Sequence, residues 1–215
     1  MKALWGRLEA WAQKQGQSLR LRSGVTEKKI AAAEKKMRLR FPADVKSTLL
    51  LFDGQDTELH PLMWCPGCGF LSSLDEIVEQ HAQSADDADS DAAADDITDD
   101  LAAKTQDGGR IRNVIFSPKR IPISGAPYFD GDITYIDLDP GPRGTSGQLI
   151  ALTSECDFLA LGSSLSEHLS AYLDALEKGE LVLASDGDVV PKGQPYWKEH
   201  PGEWFARRAA KHAAK

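Results

Sequence analysis

Two cysteines separated by a Pro-Gly pair, in Trp64-Cys65-Pro66-Gly67-Cys68, are the side chains of this sequence best suited to chemistry. A thiolate at the start of a helix is stabilised by the helix dipole and can attack a disulfide. The context speaks against that use here. Gly69-Phe70-Leu71 continues in extended texture, the next helix-start signal comes only at Ser73, and the inner dipeptide is Pro-Gly instead of Gly-Pro. Thiolates two residues apart can also share a tetrahedral zinc ion, with His60, His81 or Cys156 as the remaining ligands. No second Cys-x-x-Cys or His pair completes such a site. Cys65 and Cys68 are therefore read as a tight turn between strands and only as weak metal candidates, and no cofactor is expected.

Carboxylates offer the next opportunity. Asp137 and Asp139 fall on one face of a strand, a geometry that serves acid–base chemistry or metal binding, but no His, Lys or Arg motif beside them completes a mechanism. Asp139 is expected to cap the Pro-Gly turn that follows it. Asp87, Asp89, Asp91 and Asp95 echo the alternating ligands of a calcium loop, yet Ala92 stands for its glycine and Thr98 for its closing glutamate. Ser154-Glu155-Cys156-Asp157 lacks the nucleophile elbow of a hydrolase. The chain is expected not to be an enzyme.

The elements that position these residues follow from periodicity. Leu4, Leu8, Trp11 and Ala12 have helical spacing. Thr26 caps a second helix, with Val25 and Ile30 as a hydrophobic staple and Ala33 and Met37 extending the stripe. A third helix runs from Phe41-Pro42 through Val45, Leu49 and Phe52 and ends at Asp53-Gly54. Short strands are expected at 62–64 and 69–71, then a helix from the capping box Ser73-Leu74-Asp75-Glu76 with Ile77 and Val78 buried. Further strands are expected at 110–116, 120–123, 133–138, 148–152 and 158–161. A second capping box, Ser164-Leu165-Ser166-Glu167, opens a helix that turns Leu165, Leu169, Tyr172, Leu173 and Leu176 inward and stops at Gly179. A basic terminal helix carries Trp204, Phe205, Arg207, Arg208 and Lys211, its aromatics expected to pack on the domain rather than to serve a membrane or phosphate. Helices, then strands, then helix make an α+β fold.

Composition narrows the function. The 215 residues carry a net charge of -8, and the eight aspartates between Ser84 and Asp100 account for all of it. The rest is near neutral, without the basic field of a nucleic-acid binder. Residues 84–109 hold almost no large apolar side chains, so burial cannot offset the entropy of ordering them, and a flexible acidic insertion or a frayed helix is expected. Three cysteines, an odd number, describe no disulfide framework. The amino terminus reads as no signal peptide, and no apolar run of about 18 residues occurs. These features point to a cytoplasmic protein without membrane contact.

Several landmarks, in order, resemble the Smi/Knr-like branch of the SUKH superfamily. They are Gly24-Val25-Thr26-Glu27 with Ile30 and Glu34, Phe41-Pro42-Ala43-Asp44-Val45, Asp53-Gly54-Gln55, Ile136-Asp137-Leu138-Asp139-Pro140, Gly147-Gln148-Leu149-Ile150 and Leu161-Gly162-Ser163-Ser164-Leu165. The resemblance covers roughly residues 4–180; Arg38 stands where the family often has glycine. It implies a mainly antiparallel central sheet flanked by helices in a domain over 1–183, followed by an extension over 184–215. It also implies a binding role without an established catalytic residue. Bacterial relatives are commonly immunity proteins that neutralise toxins, often nucleases, and fungal relatives resemble scaffolds regulating cell-wall synthesis. A protein partner, foremost a cognate toxin, is expected; a regulatory scaffold and a zinc- or thiol-dependent protein are the alternatives. The side chains expected to meet the partner are Asp53, Gln55, Trp64, Tyr135, Asp137 and Asp139, with Asp86, Asp87, Asp89 and Asp91 of the acidic insertion. The oligomeric state is left open.

Overall fold

The computed structural model describes residues 1–88, 109–112, 114, 117–125, 132–154 and 157–213. Chain order is α1 (Lys2–Lys14), β1 (Leu21–Ser23), α2 (Glu27–Met37), α3 (Ala43–Leu51), β2 (Phe52–Gln55), β3 (Phe70–Leu71), α4 (Leu74–Ala88), β4 (Arg120–Gly125), β5 (Ile133–Asp137), β6 (Gln148–Leu152), β7 (Phe158–Gly162), α5 (Leu165–Glu177), β8 (Leu181–Leu183), β9 (Val189–Pro191) and α6 (Pro201–Ala213), with a 3₁₀ turn at Thr57–Leu59. The central sheet has the order β3-β4-β5-β6-β7, and every neighbouring pair is antiparallel. Two-stranded pairs β1-β2 and β8-β9 flank it. The fold is α+β, as the sequence predicts.

Alternation along the strands builds two cores, because successive side chains leave a strand on opposite faces. Ile121, Ile123, Ile136, Leu149, Ala151 and Leu161 face the helices and join Trp5, Leu8, Ile30, Leu49, Ile77, Leu169 and Leu173 in the main core. Tyr135, Ile150, Phe158 and Ala160 face the other way and make a smaller core with Ile111. Both predicted capping boxes supply the helix starts. Ser73 Oγ accepts from Glu76 N while Glu76 Oε2 accepts from Ser73 N at 2.6 Å, and Ser164 Oγ accepts from Glu167 N at 3.1 Å. Thr26 caps α2 by accepting from Lys29 N. Arg38, where the family often has glycine, ends α2 with φ 56 in the left-handed region. Buried Glu34 holds that turn, its two carboxylate oxygens accepting from Phe41 N at 3.1 Å and from Arg40 Nη1 at 2.8 Å.

Three expectations need correction. Phe52 and Asp53-Gly54 do not end α3 but form β2, paired with β1; Gly54 has φ 77, and a Cβ there would come within 2.8 Å of Leu71 O. Residues 62–64 form no strand; Leu62 N donates to Ser18 O and its carbonyl accepts from Gln55 Nε2. No strand forms at 110–112 or 114 either. There the carbonyl of Arg110 accepts from Gln148 Nε2 and Gly141 N, and those of Arg112 and Val114 accept from the Arg120 guanidinium, so side chains and a turn amide take the place of a strand ladder.

Candidate functional site

The Cys65-Pro66-Gly67-Cys68 turn leads into β3 and is closed by Cys68 N donating to Cys65 O at 3.2 Å. Gly67 and Gly69 both have φ 71, which a side-chain-bearing residue rarely adopts. A Cβ on Gly69 would also sit 2.8 Å from the backbone of Gly125 in β4. The carbonyl of Cys68 is held by two strands of the sheet, accepting from Ser124 Oγ at 2.5 Å and Thr134 Oγ1 at 3.2 Å. Both thiols lie inside the protein, at 0% and 1% exposure, and are free.

His168, in the first turn of α5, meets them. Its Nε2 is 3.2 Å from Cys65 Sγ and 4.0 Å from Cys68 Sγ. Its Nδ1 lies 3.2 Å from the carbonyl of Leu161. A carbonyl oxygen can only accept, so Nδ1 donates to it, and Nε2 is the ring nitrogen that meets the two sulfurs. The imidazole is packed edge-on between Trp64 and Phe205, with ring centroids 5.9 and 4.9 Å away. Burial pushes the Cys65 thiol well above its ordinary range, and the neighbouring Cys68 adds to the rise. Burial opposes ionisation of Cys68 as well, but the hydrogen bonds from Cys65 and His168 outweigh it and bring that thiol down to about 5. Of the two sulfurs, Cys68 is the one that more readily carries charge.

Tyr172, one turn further along α5, is fully buried, and its hydroxyl has no hydrogen-bond partner among the described residues. Burial raises its pKa well above the usual value, and the charge of Cys65 and Cys68 adds to the rise. Outside the turn lies a cleft of about 240 Å³ lined by Pro61, Leu62, Met63, Pro66, Phe70, Val189, Trp197 and Pro201.

The zinc partners proposed from the sequence are not the ones the fold supplies. His81 Nε2 lies 2.8 Å from Pro118 O, and His60 sits at the end of the 3₁₀ turn; neither belongs to the cluster formed by Cys65, Cys68 and His168. Cys156 lies outside the described residues. His168 stood one position beyond the second capping box and was masked by its helical stripe, where a buried histidine is indistinguishable from any other inward residue.

Most of the side chains expected to touch a partner are interior. Gln55, 2% exposed, brackets three segments: its Nε2 donates to Leu19 O and Leu62 O, and its Oε1 accepts from Leu71 N. Trp64 and Asp137 are 0% exposed and Tyr135 is 3% exposed. Burial removes these four from any surface contact. Asp137 instead takes part in an internal network, accepting from Gln148 Nε2 at 3.0 Å and lying 3.8 Å from Arg120 Nε. The Arg120 guanidinium stacks over Phe158 at 4.5 Å and donates to the carbonyls of Arg112 and Val114. It is Asp137, not Asp139, that caps the turn, accepting from Asp139 N at 3.1 Å. Asp139 reaches the surface, paired with Arg112 and Lys119. Asp53 accepts from Leu74 N at the start of α4. Asp89 and Asp91 lie outside the described residues, and for Asp86 and Asp87 only the helical backbone of α4 is described. In α6, Phe205 joins the main core, while Arg207 pairs with Glu199 and Arg208 with Glu180.

The SMI1 / KNR4 family (SUKH-1) matches residues 24–173. The chain belongs to that family. Among curated proteins it is similar to a "Cell wall biosynthesis/cell cycle regulator smi1" of Schizosaccharomyces pombe, 28% identical over 197 residues, which are 86% of this chain and 38% of that protein. The chain thus spans well under half the length of this relative. The SMI1/KNR4 match includes the Cys65-Cys68 turn and His168, and it stops at Tyr172-Leu173, before α6. No helix among the described residues is long and apolar enough to cross a membrane.

Proposed function

We propose that this SUKH-1 chain is a non-catalytic, cytoplasmic protein-binding domain, and that in a bacterial setting it acts as an immunity protein that neutralises a toxin by occupying it. The observation that supports this reading is the placement of the polar side chains that might do chemistry. Gln55, Asp137, Arg120 and Gln148 spend their hydrogen bonds on the protein's own backbone and on each other. What the fold presents outward is a rim, and a partner meets that rim.

The acidic side of α4 is the part of the rim that fits best. Glu76 and Glu79 line a groove of about 190 Å³ with Thr57, Phe70, Gln80 and Gln83, beside the short edge strand β3. The same helix carries Asp75, and its sequence includes Asp86 and Asp87, two of the eight aspartates that account for the net charge. Such a field steers a basic partner and makes association fall with salt. A standard interface buries about 1,200–2,000 Å² in total, which a domain of this size can offer.

The test is co-expression with the product of the neighbouring upstream gene. Growth should be restored, and the two proteins should co-purify in a complex that weakens several-fold as salt rises from low to physiological. Equal killing with and without this chain would refute the immunity reading. The similarity to the Schizosaccharomyces pombe regulator favours a second reading, a regulatory domain for a cell-wall or cell-cycle partner. It predicts capture of endogenous partners and no toxic neighbour.

A further inference from the structure

We infer that Cys65, Cys68 and His168 form a binding site for a thiophilic divalent metal of the zinc class, which clips the Cys-Pro-Gly-Cys turn to the first turn of α5. The three ligand atoms lie within 4.8 Å of one another. Zinc bonds of about 2.3 Å to sulfur and about 2.0–2.1 Å to nitrogen, at tetrahedral angles, place sulfur and nitrogen ligands about 3.6 Å apart. The two sulfur-to-Nε2 distances, 3.2 and 4.0 Å, straddle that value.

The surroundings are those of a built site. A metal-ligating histidine characteristically donates its other ring N–H to a carbonyl or carboxylate, which fixes tautomer and ring orientation. Nδ1 of His168 does this to Leu161 O, so Nε2 is free to donate its lone pair. The turn that carries the sulfurs is anchored through the Cys68 carbonyl to β4 and β5, so the first ligands are held by rigid elements. One turn along α5, Tyr172 packs on the same Phe205 ring as His168, and its hydroxyl is fully buried with no hydrogen-bond partner among the described residues. A buried hydroxyl without a partner costs free energy; a metal-bound thiolate, which gains acceptor strength on losing its proton, or a fourth ligand on the ion, would satisfy it. His200 is not that fourth ligand, because Asp132 occupies its Nε2 at 2.6 Å and Gly202 N donates to its Nδ1 at 3.0 Å.

Binding leaves both sulfurs as thiolates: Cys65 gives up its proton to solvent as its Sγ–metal bond forms, and Cys68, the more readily ionised thiol, gives up any that remains. No oxidant or reductant is required. The site is structural in this reading: it joins the loop before β3 to the helix after β7, segments about a hundred residues apart in sequence.

Titration of the full chain, purified in a phosphine reductant, with zinc chloride and then with cobalt chloride tests this. One zinc per chain should be retained through gel filtration, and cobalt should give near-ultraviolet thiolate charge-transfer absorption with intense tetrahedral visible bands. Cys65→Ser and Cys68→Ser should each weaken zinc binding by more than the roughly 10–100-fold that loss of an outer-shell partner costs. His168→Gln should retain the thiolate absorption but shift the visible bands. Absence of stoichiometric zinc, a cobalt spectrum without thiolate charge transfer, or zinc binding unchanged in the Cys65→Ser/Cys68→Ser double variant would each overturn the assignment. Should the serine variants fail to fold, the cobalt spectrum of the unaltered chain decides alone.

Discussion

The two faces of the central sheet each bury a polar cluster, and the clusters are built on opposite terms. On the small-core face, Arg120 and Asp137 are a hard, charged pair at 1% and 0% side-chain exposure, stitched to backbone carbonyls, Gln148 and the Phe158 ring. On the helix face, Cys65, Cys68 and His168 are soft sulfur and imidazole donors that meet one another and have few other partners. A charged pair taken out of water must be fully satisfied or it unfolds the protein. Soft thiols can remain inside as small hydrophobes and still be available to a metal. One cluster is complete within the fold, and the other is completed from outside.

That difference is open to direct attack. The largest effect should come from Asp137→Ala, which removes the buried carboxylate facing the Arg120 guanidinium; denaturant titration should show a loss of roughly 3–5 kcal/mol. Zinc should have no part in that loss. Next, zinc at about a hundredfold its dissociation constant should stabilise the unaltered chain by about 2.7 kcal/mol and leave Cys65→Ala/Cys68→Ala unmoved. In chelator, the same double alanine variant should cost less than the aspartate variant, on the order of 1–3 kcal/mol, since it removes two small apolar groups rather than a charge. A double alanine variant as damaging in chelator as Asp137→Ala would erase the contrast.

The smallest effect is a pH dependence at the rim of the thiol cluster. His200, at the start of α6, is half-buried, which disfavours its charge, but the hydrogen bond and charge of Asp132 outweigh burial and raise its pKa above 6.5. A group whose folded pKa is raised contributes stability below its unfolded value, and that contribution is lost as pH rises through the folded pKa. Thermal melts of the unaltered chain should therefore gain less than His200→Gln melts as pH rises from about 6 to about 8, and the difference between the two should be greatest at the acid end. A variant with the same pH profile as the parent would remove His200 as the cause.

Much of this architecture was legible in the residues because local rules and tertiary structure agree. The capping boxes at Ser73 and Ser164, the staple around Thr26, and the alternation from Ile133 to Asp137 specify their own elements, and the ordered landmarks from Gly24 to Leu165 identify the family. What escaped is what depends on contacts distant in sequence. The 110–112 segment has strand-like residues, but its carbonyls are taken by the Gln148 and Arg120 side chains and the Gly141 amide. Phe52 continues a helical stripe, yet pairing with β1 draws it into a strand. His168 lies a hundred residues beyond Cys68, and no spacing rule connects them; only the antiparallel sheet brings α5 back under the turn. Likewise, Gln55, Trp64, Tyr135 and Asp137 have the chemistry of contact residues, and only burial shows that they serve the interior.

Zinc K-edge X-ray absorption on the zinc-loaded full chain tests the contrast between the clusters most directly, because it reads the ligands themselves. The predicted first shell holds two sulfurs at about 2.3 Å and a histidine nitrogen at about 2.0–2.1 Å. A shell of oxygen and nitrogen alone, without sulfur, would contradict it and return Cys65, Cys68 and His168 to a thiol–imidazole hydrogen bond within the core.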